Sequence, residues 1–209
     1  MACNVEVFDR LALKYDAWFE RRRDLYQAEL RALKAIVPKG KGLEVGVGTG
    51  KFALPLGVPF GVEPAKGMAT LAKRRGVKVC LGRGEELPFR DGTFDMVLYI
   101  TVLPFMEDPA KALKEGIRVL KGQGEIVIGM IDRESPLGRS YEDGKEKNPF
   151  YREAHFFTPE EVISLMAPLG FDVHKALQTL FGPAPEGEQP IEEGYGRGGF
   201  VAMAFKRRR

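Results

Sequence analysis

Cysteine and histidine are scarce in this chain of 209 residues, with two of each. Cys3 and Cys80 form no disulfide framework, and no Cys/His metal cluster can be written around them, so a reducing compartment is expected. Long apolar runs are also missing. No stretch approaches the roughly 18 apolar residues of a membrane-spanning helix, and the start lacks the apolar core of about 7–15 residues that marks a secretory signal. Excess charge of one sign is small: 32 Lys and Arg against 29 Asp and Glu leave a net +3. That is too mild for a nucleic-acid footprint, and the basic runs Arg21-Arg22-Arg23 and Lys206–Arg209 read as a solvated helix face and a chain end. These absences predict a cytoplasmic protein with no membrane partner, no metal, and nucleic acid as an unlikely ligand. With 44% apolar residues the chain can bury a proper core, and one domain over 1–209 is the default at about 150 residues per domain.

What the sequence does have is glycine at a telling place. Leu43-Glu44-Val45-Gly46-Val47-Gly48-Thr49-Gly50 runs a short strand into glycines at alternate positions. A glycine-rich turn after a parallel strand can adopt φ > 0 and approach a ligand closely, which suits nucleotide-like molecules. Spacing narrows the ligand. A P-loop needs Gly-Lys followed by Ser or Thr, but Phe52 follows Lys51 and Val45 stands where the first glycine belongs. A dinucleotide fingerprint needs Gly-x-Gly-x-x-Gly, whereas this chain has Gly-x-Gly-x-Gly, with the Glu44 carboxylate at the mouth of the turn, where a pyrophosphate would be repelled.

Glu44-x-Gly-x-Gly-x-Gly resembles motif I of the class I S-adenosylmethionine-dependent methyltransferases. Three companions follow in order. Val58–Val62 reads as a second strand ending at Glu63. Gly82–Asp95, containing Glu85-Glu86-Leu87-Pro88-Phe89, is similar to a segment of the branch that includes ubiquinone-biosynthesis methyltransferases. Arg118-Val119-Leu120-Lys121-Gly122-Gln123-Gly124 resembles the run leading into that family's fifth strand. The resemblance implies a Rossmann-like α/β fold: a three-layer αβα sandwich on a seven-stranded, mostly parallel sheet, with one antiparallel strand in a C-terminal hairpin. It implies S-adenosylmethionine as cofactor. The residues it places there are Glu44, Gly46, Gly48, Gly50, Glu63, Pro64, Met68, Gly84, Glu85, Ile100 and Thr101, with Glu63 on the ribose hydroxyls and Gly84 and Glu85 at the adenine. Many relatives carry Asp at the position of Arg83, which leaves Glu85 to read the base.

Around this centre the pattern predicts helices over residues 1–40, ending at Pro38 and Gly40, and the resemblance implies that they cap the cofactor mouth. Tyr15 in Tyr15-Asp16-Ala17-Trp18-Phe19 is placed to face the cationic sulfonium. Lys51–Leu56 leaves room for about two helical turns at most, and Pro64–Arg75 for a helix. Val77–Leu81 is a third strand, with Cys80 a small buried residue. Phe94–Ile100 reads as a central strand apolar on both faces, Asp108–Leu120 as a helix and Glu125–Ile131 as strand five. Residues 132–157 are polar, turn-rich and rich in aromatics, a lid on the substrate, and His155 within it is the candidate general base beside Tyr15. Thr158 and Glu161 form a capping box. The predicted activity is methyl transfer to a small-molecule N- or O-nucleophile by a monomer or homodimer. A non-catalytic binder of S-adenosylmethionine or S-adenosylhomocysteine, and an NAD(P)-dependent reductase, stand as alternatives.

Overall fold

In a computed structural model that describes residues 5–208, the chain builds an eight-stranded sheet in the order β3-β2-β1-β4-β5-β8-β6-β7. Cys3 and Arg209 lie outside the described residues. The strands are β1 (Gly42–Val45), β2 (Phe60–Glu63), β3 (Lys78–Leu81), β4 (Phe94–Ile100), β5 (Leu120–Ile131), β6 (Phe171–Phe181), β7 (Glu192–Glu193) and β8 (Gly198–Arg207). β1 to β5 pair in parallel, β8 runs antiparallel to both β5 and β6, and β7 is antiparallel to β6. The extra strand beyond the seven expected is β7, a two-residue stitch inside what reads from sequence as a Gly/Pro/Glu loop.

Two apolar layers cover the sheet, because alternate residues of a strand face opposite sides. Leu98, Ile100 and Val127 face α3 (Arg23–Lys34), while Val97, Tyr99 and Ile128 face α5 (Pro109–Val119) and α7 (Pro159–Met166). α1 (Val5–Arg10) and α2 (Ala12–Arg21) cross above α4 (Lys66–Arg74), and α6 (Pro136–Gly144) packs on β6 and β8. α3 carries its apolar stripe onto β6 and β8. It therefore belongs to the main layer, and the cap proper is α1 with α2.

Start and stop signals behave as chemistry requires. Asp108 accepts from Lys111 N–H at 2.9 Å and Pro109 opens α5. Thr158 and Glu161 form the reciprocal capping box of α7. Three expectations are corrected. The segment after β1 makes only a 3₁₀ turn, Leu54–Leu56, closed by Gly57 at φ 74, since Pro55 and so short a span leave no α-helix. Pro64 stays outside α4, whose N-cap Ala65 is extended. Cys80 is exposed, because β3 is an edge strand with most of its side chains uncovered. The 132–157 segment, read from sequence as turn-rich, contains a helix, since Pro136 and the Ser135 cap start α6 within it. Among the described residues no helix is long and apolar enough to cross a membrane, and no group of three His, Cys, Asp or Glu could hold a metal ion.

Candidate active site

The strand order reverses between β1 and β4, which opens a crevice at the C-terminal ends of the parallel strands, where ligands of open α/β sheets bind. A cavity lies there. Its walls are Gly46 and Gly48 after β1, Glu63 and Pro64 after β2, Met68 on α4, Gly84 and Glu85 after β3, Ile100 and Thr101 at the end of β4, and Tyr15 on α2. All of these are expected from sequence. Val5 and Phe8 of α1, with Arg83, Val102, Phe105 and Met106, complete the lining.

The glycines permit this approach. Gly46 has φ +67, and a Cβ there would lie 2.1 Å from Val102 Cγ2. Gly48 has φ +54, and the nearest atom to a Cβ at that position would be Tyr15 Cε1 at 3.9 Å. Gly50, at φ +81, is pressed instead against Ala72 and Val77. It seats α4 behind the turn and does not reach the cavity.

Glu63 is 6% exposed and anchors the turn. Its Oε2 accepts from Gly48 N–H at 2.9 Å and its Oε1 from Ala65 N–H at 2.9 Å. Burial pushes its carboxyl up to about 7, against the pull of those two amides. Each oxygen keeps a lone pair for a donor in the cavity. Glu85 Oε1 accepts from Glu107 N–H at 3.0 Å, tying the β3 loop to the segment before α5, and Arg83 pairs with Glu107 at 3.0 Å on the rim.

Besides Gly50, two of the predicted residues sit elsewhere. Glu44 is 2% exposed and does not line this cavity, and its Oε2 has no hydrogen-bond partner among the described residues. Burial, and secondarily the charge of Glu63, hold its carboxyl well above the usual range. It lies buried under the turn, not at its mouth. His155 is exposed, lies against Phe157 at 5.0 Å, and lines neither cavity; its backbone N–H donates to Pro104 O at 2.9 Å. The lid is held there by backbone, and the imidazole is turned away.

A second chamber of about 490 Å³ adjoins the first and shares Tyr15, Thr101 and Phe105 with it. It falls in the ~300–1,000 Å³ range of small-molecule sites. Aromatic residues of α2 (Trp18, Phe19) and of the lid (Tyr141, Phe150, Tyr151, Phe156) wall it. Tyr141 stacks on Tyr151 at 5.4 Å, and Phe156 meets Tyr151 edge-on at 5.5 Å. Thr101 holds φ 50 at the shared wall, a conformation that β-branched residues avoid and that tends to occur at functional positions. Its N–H donates to Gly129 O at 2.7 Å, which fixes the strand end. Glu29, on the buried stripe of α3, also lines the chamber. Nothing in the motifs marks it, although a signal was there: it recurs at helical spacing with Leu25, Ala28, Ala32 and Leu33, an acid inside an apolar stripe.

A doubly wound sheet with a glycine turn, a buried acid at the end of β2 and a second, aromatic chamber suits a methyltransferase. Known proteins agree: the methyltransferase domain model matches residues 43–128. A crystal structure from Thermotoga maritima, described as a SAM-dependent methyltransferase and possible histamine N-methyltransferase, superposes with a TM-score of 0.93 at 46% identity, covering 97% of this chain and 99% of that one. An uncharacterized protein of Methanocaldococcus jannaschii is 47% identical over 97% of this chain and 100% of its own. Malonyl-[acyl-carrier protein] O-methyltransferase of Geobacter sulfurreducens is 30% identical over 78% of this chain and 68% of its own. The chain belongs to the class I S-adenosylmethionine-dependent methyltransferases.

Proposed function

We propose that the protein binds S-adenosylmethionine in the crevice and methylates a small-molecule nitrogen or oxygen nucleophile held in the aromatic chamber. The observation that carries this reading is the junction of the two cavities at Tyr15, Thr101 and Phe105. The residues present fit the cofactor. Glu63 offers two acceptor oxygens on a rigid mount, as vicinal hydroxyls require, and the backbone at Gly48 borders open space that a side chain would fill. When bound, S-adenosylmethionine supplies a methyl group made electrophilic by its sulfonium.

The chain's own residues would then do the rest. Met68, Ile100 and Met106 give the cofactor's flat and aliphatic parts an apolar bed, and Gly84 and Glu85 stand at its base edge. The Tyr15 ring, buried at the junction, can face a cation favourably. Its phenol is held far above the ordinary value by burial and by the nearby Glu29, Glu63 and Glu44, so it stays protonated and acts as a hydrogen-bond donor or a ring face. Alignment of the reactants can account for about 7–11 kcal/mol of a barrier, so His155, turned to solvent, is not needed as a base. The names of the relatives cover both acceptor types, a possible histamine N-methyltransferase and an O-methyltransferase.

The test is transfer of label from methyl-labelled S-adenosylmethionine to a panel of small amines, phenols and carboxylic acids. Label in at least one acceptor, with matching release of S-adenosylhomocysteine, is expected. Tight binding of S-adenosylhomocysteine with no transfer across the panel would favour the non-catalytic binder. The family assignment leaves the reductase reading without support.

A further inference from the structure

The buried charged residues outside the cofactor crevice are few, and most are accounted for. Among the described residues, Asp132 accepts from Glu134 N–H at 3.0 Å, and Glu44 is sealed under the glycine turn. Glu29 differs. It is 5% exposed, faces the aromatic chamber, and has no hydrogen bond or ion pair among the described residues. A buried carboxyl without a partner is costly, and packing alone would place an apolar residue in that stripe of α3. Lys14, Arg21, Arg22 and Lys147 also line the chamber, yet none pairs with it. Tyr15, Tyr141 and Tyr151 line the same chamber, and the Glu29 charge raises all three phenols.

We propose that Glu29 binds the methyl acceptor, and that the acceptor is an amine with a flat apolar body. The ammonium docks on the Glu29 carboxylate while the body lies against the rings of Trp18, Phe105, Tyr141 and Tyr151. This rests on the methyltransferase reading of the site. An ammonium is the donor that both satisfies an unpaired buried carboxylate and gains from surrounding aromatic faces. A neutral alcohol donates only an uncharged hydrogen bond and gains little from the ring faces, and a carboxylate brings neither benefit. The same contact prepares the nitrogen. Glu29 takes one proton from the ammonium, which frees the lone pair; the N–C bond forms as the S–C bond breaks; the product leaves as a methylammonium, and the proton on Glu29 passes to solvent. Burial alone lifts the Glu29 carboxyl to about 8, closer to an alkylammonium near 10 than an ordinary carboxylate lies, so this proton transfer is less uphill.

The experiment uses the full chain saturated with S-adenosylhomocysteine and titrates 2-phenylethylamine and tryptamine against 2-phenylethanol, in the native protein and in Glu29→Gln. At least one amine is expected to bind the native protein at least tenfold tighter than the alcohol, and to lose roughly 30-fold or more in Glu29→Gln, with S-adenosylhomocysteine affinity unchanged. Binding of the alcohol as tight as that of the amines, failure of both amines to bind, or an unaffected Glu29→Gln overturns the proposal and leaves the cofactor site standing. Failure of the native protein to bind S-adenosylhomocysteine would instead sink the methyltransferase reading itself. The thermal midpoint of Glu29→Gln controls for folding, and a Glu29→Asp variant that recovers part of the amine affinity would separate a charge contact from a packing change.

Discussion

Removing the Glu29 charge should make the protein more stable, by an amount that grows as pH rises from about 4.5 to about 8. The carboxyl titrates at about 8 in the folded chain against a reference of 4.5. Below 4.5 it is neutral in both states and the site costs nothing beyond its desolvated hydroxyl. As pH rises from there, the unfolded chain ionises first and binds fewer protons, so folding stability falls until the folded carboxyl also ionises near 8. At about 1.4 kcal/mol per pH unit the full span amounts to about 5 kcal/mol. Water entering the chamber screens the charge, so about 2–5 kcal/mol is expected. For a domain of this size that is about 4–20 °C in Tm. The assay is thermal unfolding of the native protein and Glu29→Gln between pH 4.5 and pH 9. Charged and titratable groups that line the chamber with Glu29, namely Lys14, Tyr15 and Arg21 on α2, Arg22 just after it, and Tyr141, Lys147 and Tyr151 of the 132–157 segment, are common to both proteins. So are Glu44 and Glu63, so the difference between the two curves isolates Glu29. Near-equal midpoints at pH 4.5 and a widening gain for the variant toward pH 9 are predicted. Parallel curves would mean that the carboxyl is hydrated or paired in solution, and the reasoning about its unsatisfied burial would fail.

Further outcomes follow from the same geometry. Gly46→Ala places a Cβ at 2.1 Å from Val102 Cγ2 and at φ +67, and should cost about 2–4 kcal/mol in chemical denaturation while abolishing cofactor binding. Thr158→Ala removes the capping box of α7 and should cost about 1 kcal/mol, with S-adenosylhomocysteine affinity unchanged in calorimetry. Because the Glu63 carboxyl is pushed up to about 7 and is the better acceptor when ionised, S-adenosylhomocysteine should bind tighter as pH rises from 6 to 8. A flat profile would remove Glu63 from the ribose.

The centre of the fold was legible in the chain because its local signals are strong and mutually consistent. β4 occupies the residues its continuous apolar run defines, and α5 and α7 begin where Asp108-Pro109 and Thr158-Pro159 place them. The cofactor crevice was legible for the same reason, since the turn after β1 and the ends of β2 and β4 converge wherever these strands pair in parallel. What was hidden depends on distant partners. Cys80 alternates like a buried strand residue, but β3 pairs with β2 alone and its outer side is bare. His155 looks chemical in isolation, yet the Pro104 carbonyl fixes its backbone so that the ring lies on Phe157. Val5 and Phe8 join the crevice because α1 folds over α4, which no short-range pattern states. Glu29 was visible as an acid in an apolar stripe, but only the chamber before it gives that position a meaning.

The central claim is that Glu63 and the glycine turn hold S-adenosylmethionine, and the most direct measurement is calorimetric titration of the pure protein with S-adenosylhomocysteine, alongside Glu63→Ala and NADH. The account predicts one site per chain for S-adenosylhomocysteine, an affinity loss of roughly 30-fold or more in Glu63→Ala from the missing charge-assisted hydrogen bonds, and no heat with NADH. A folded protein that ignores S-adenosylhomocysteine, or binds it equally well without the Glu63 carboxylate, would contradict it.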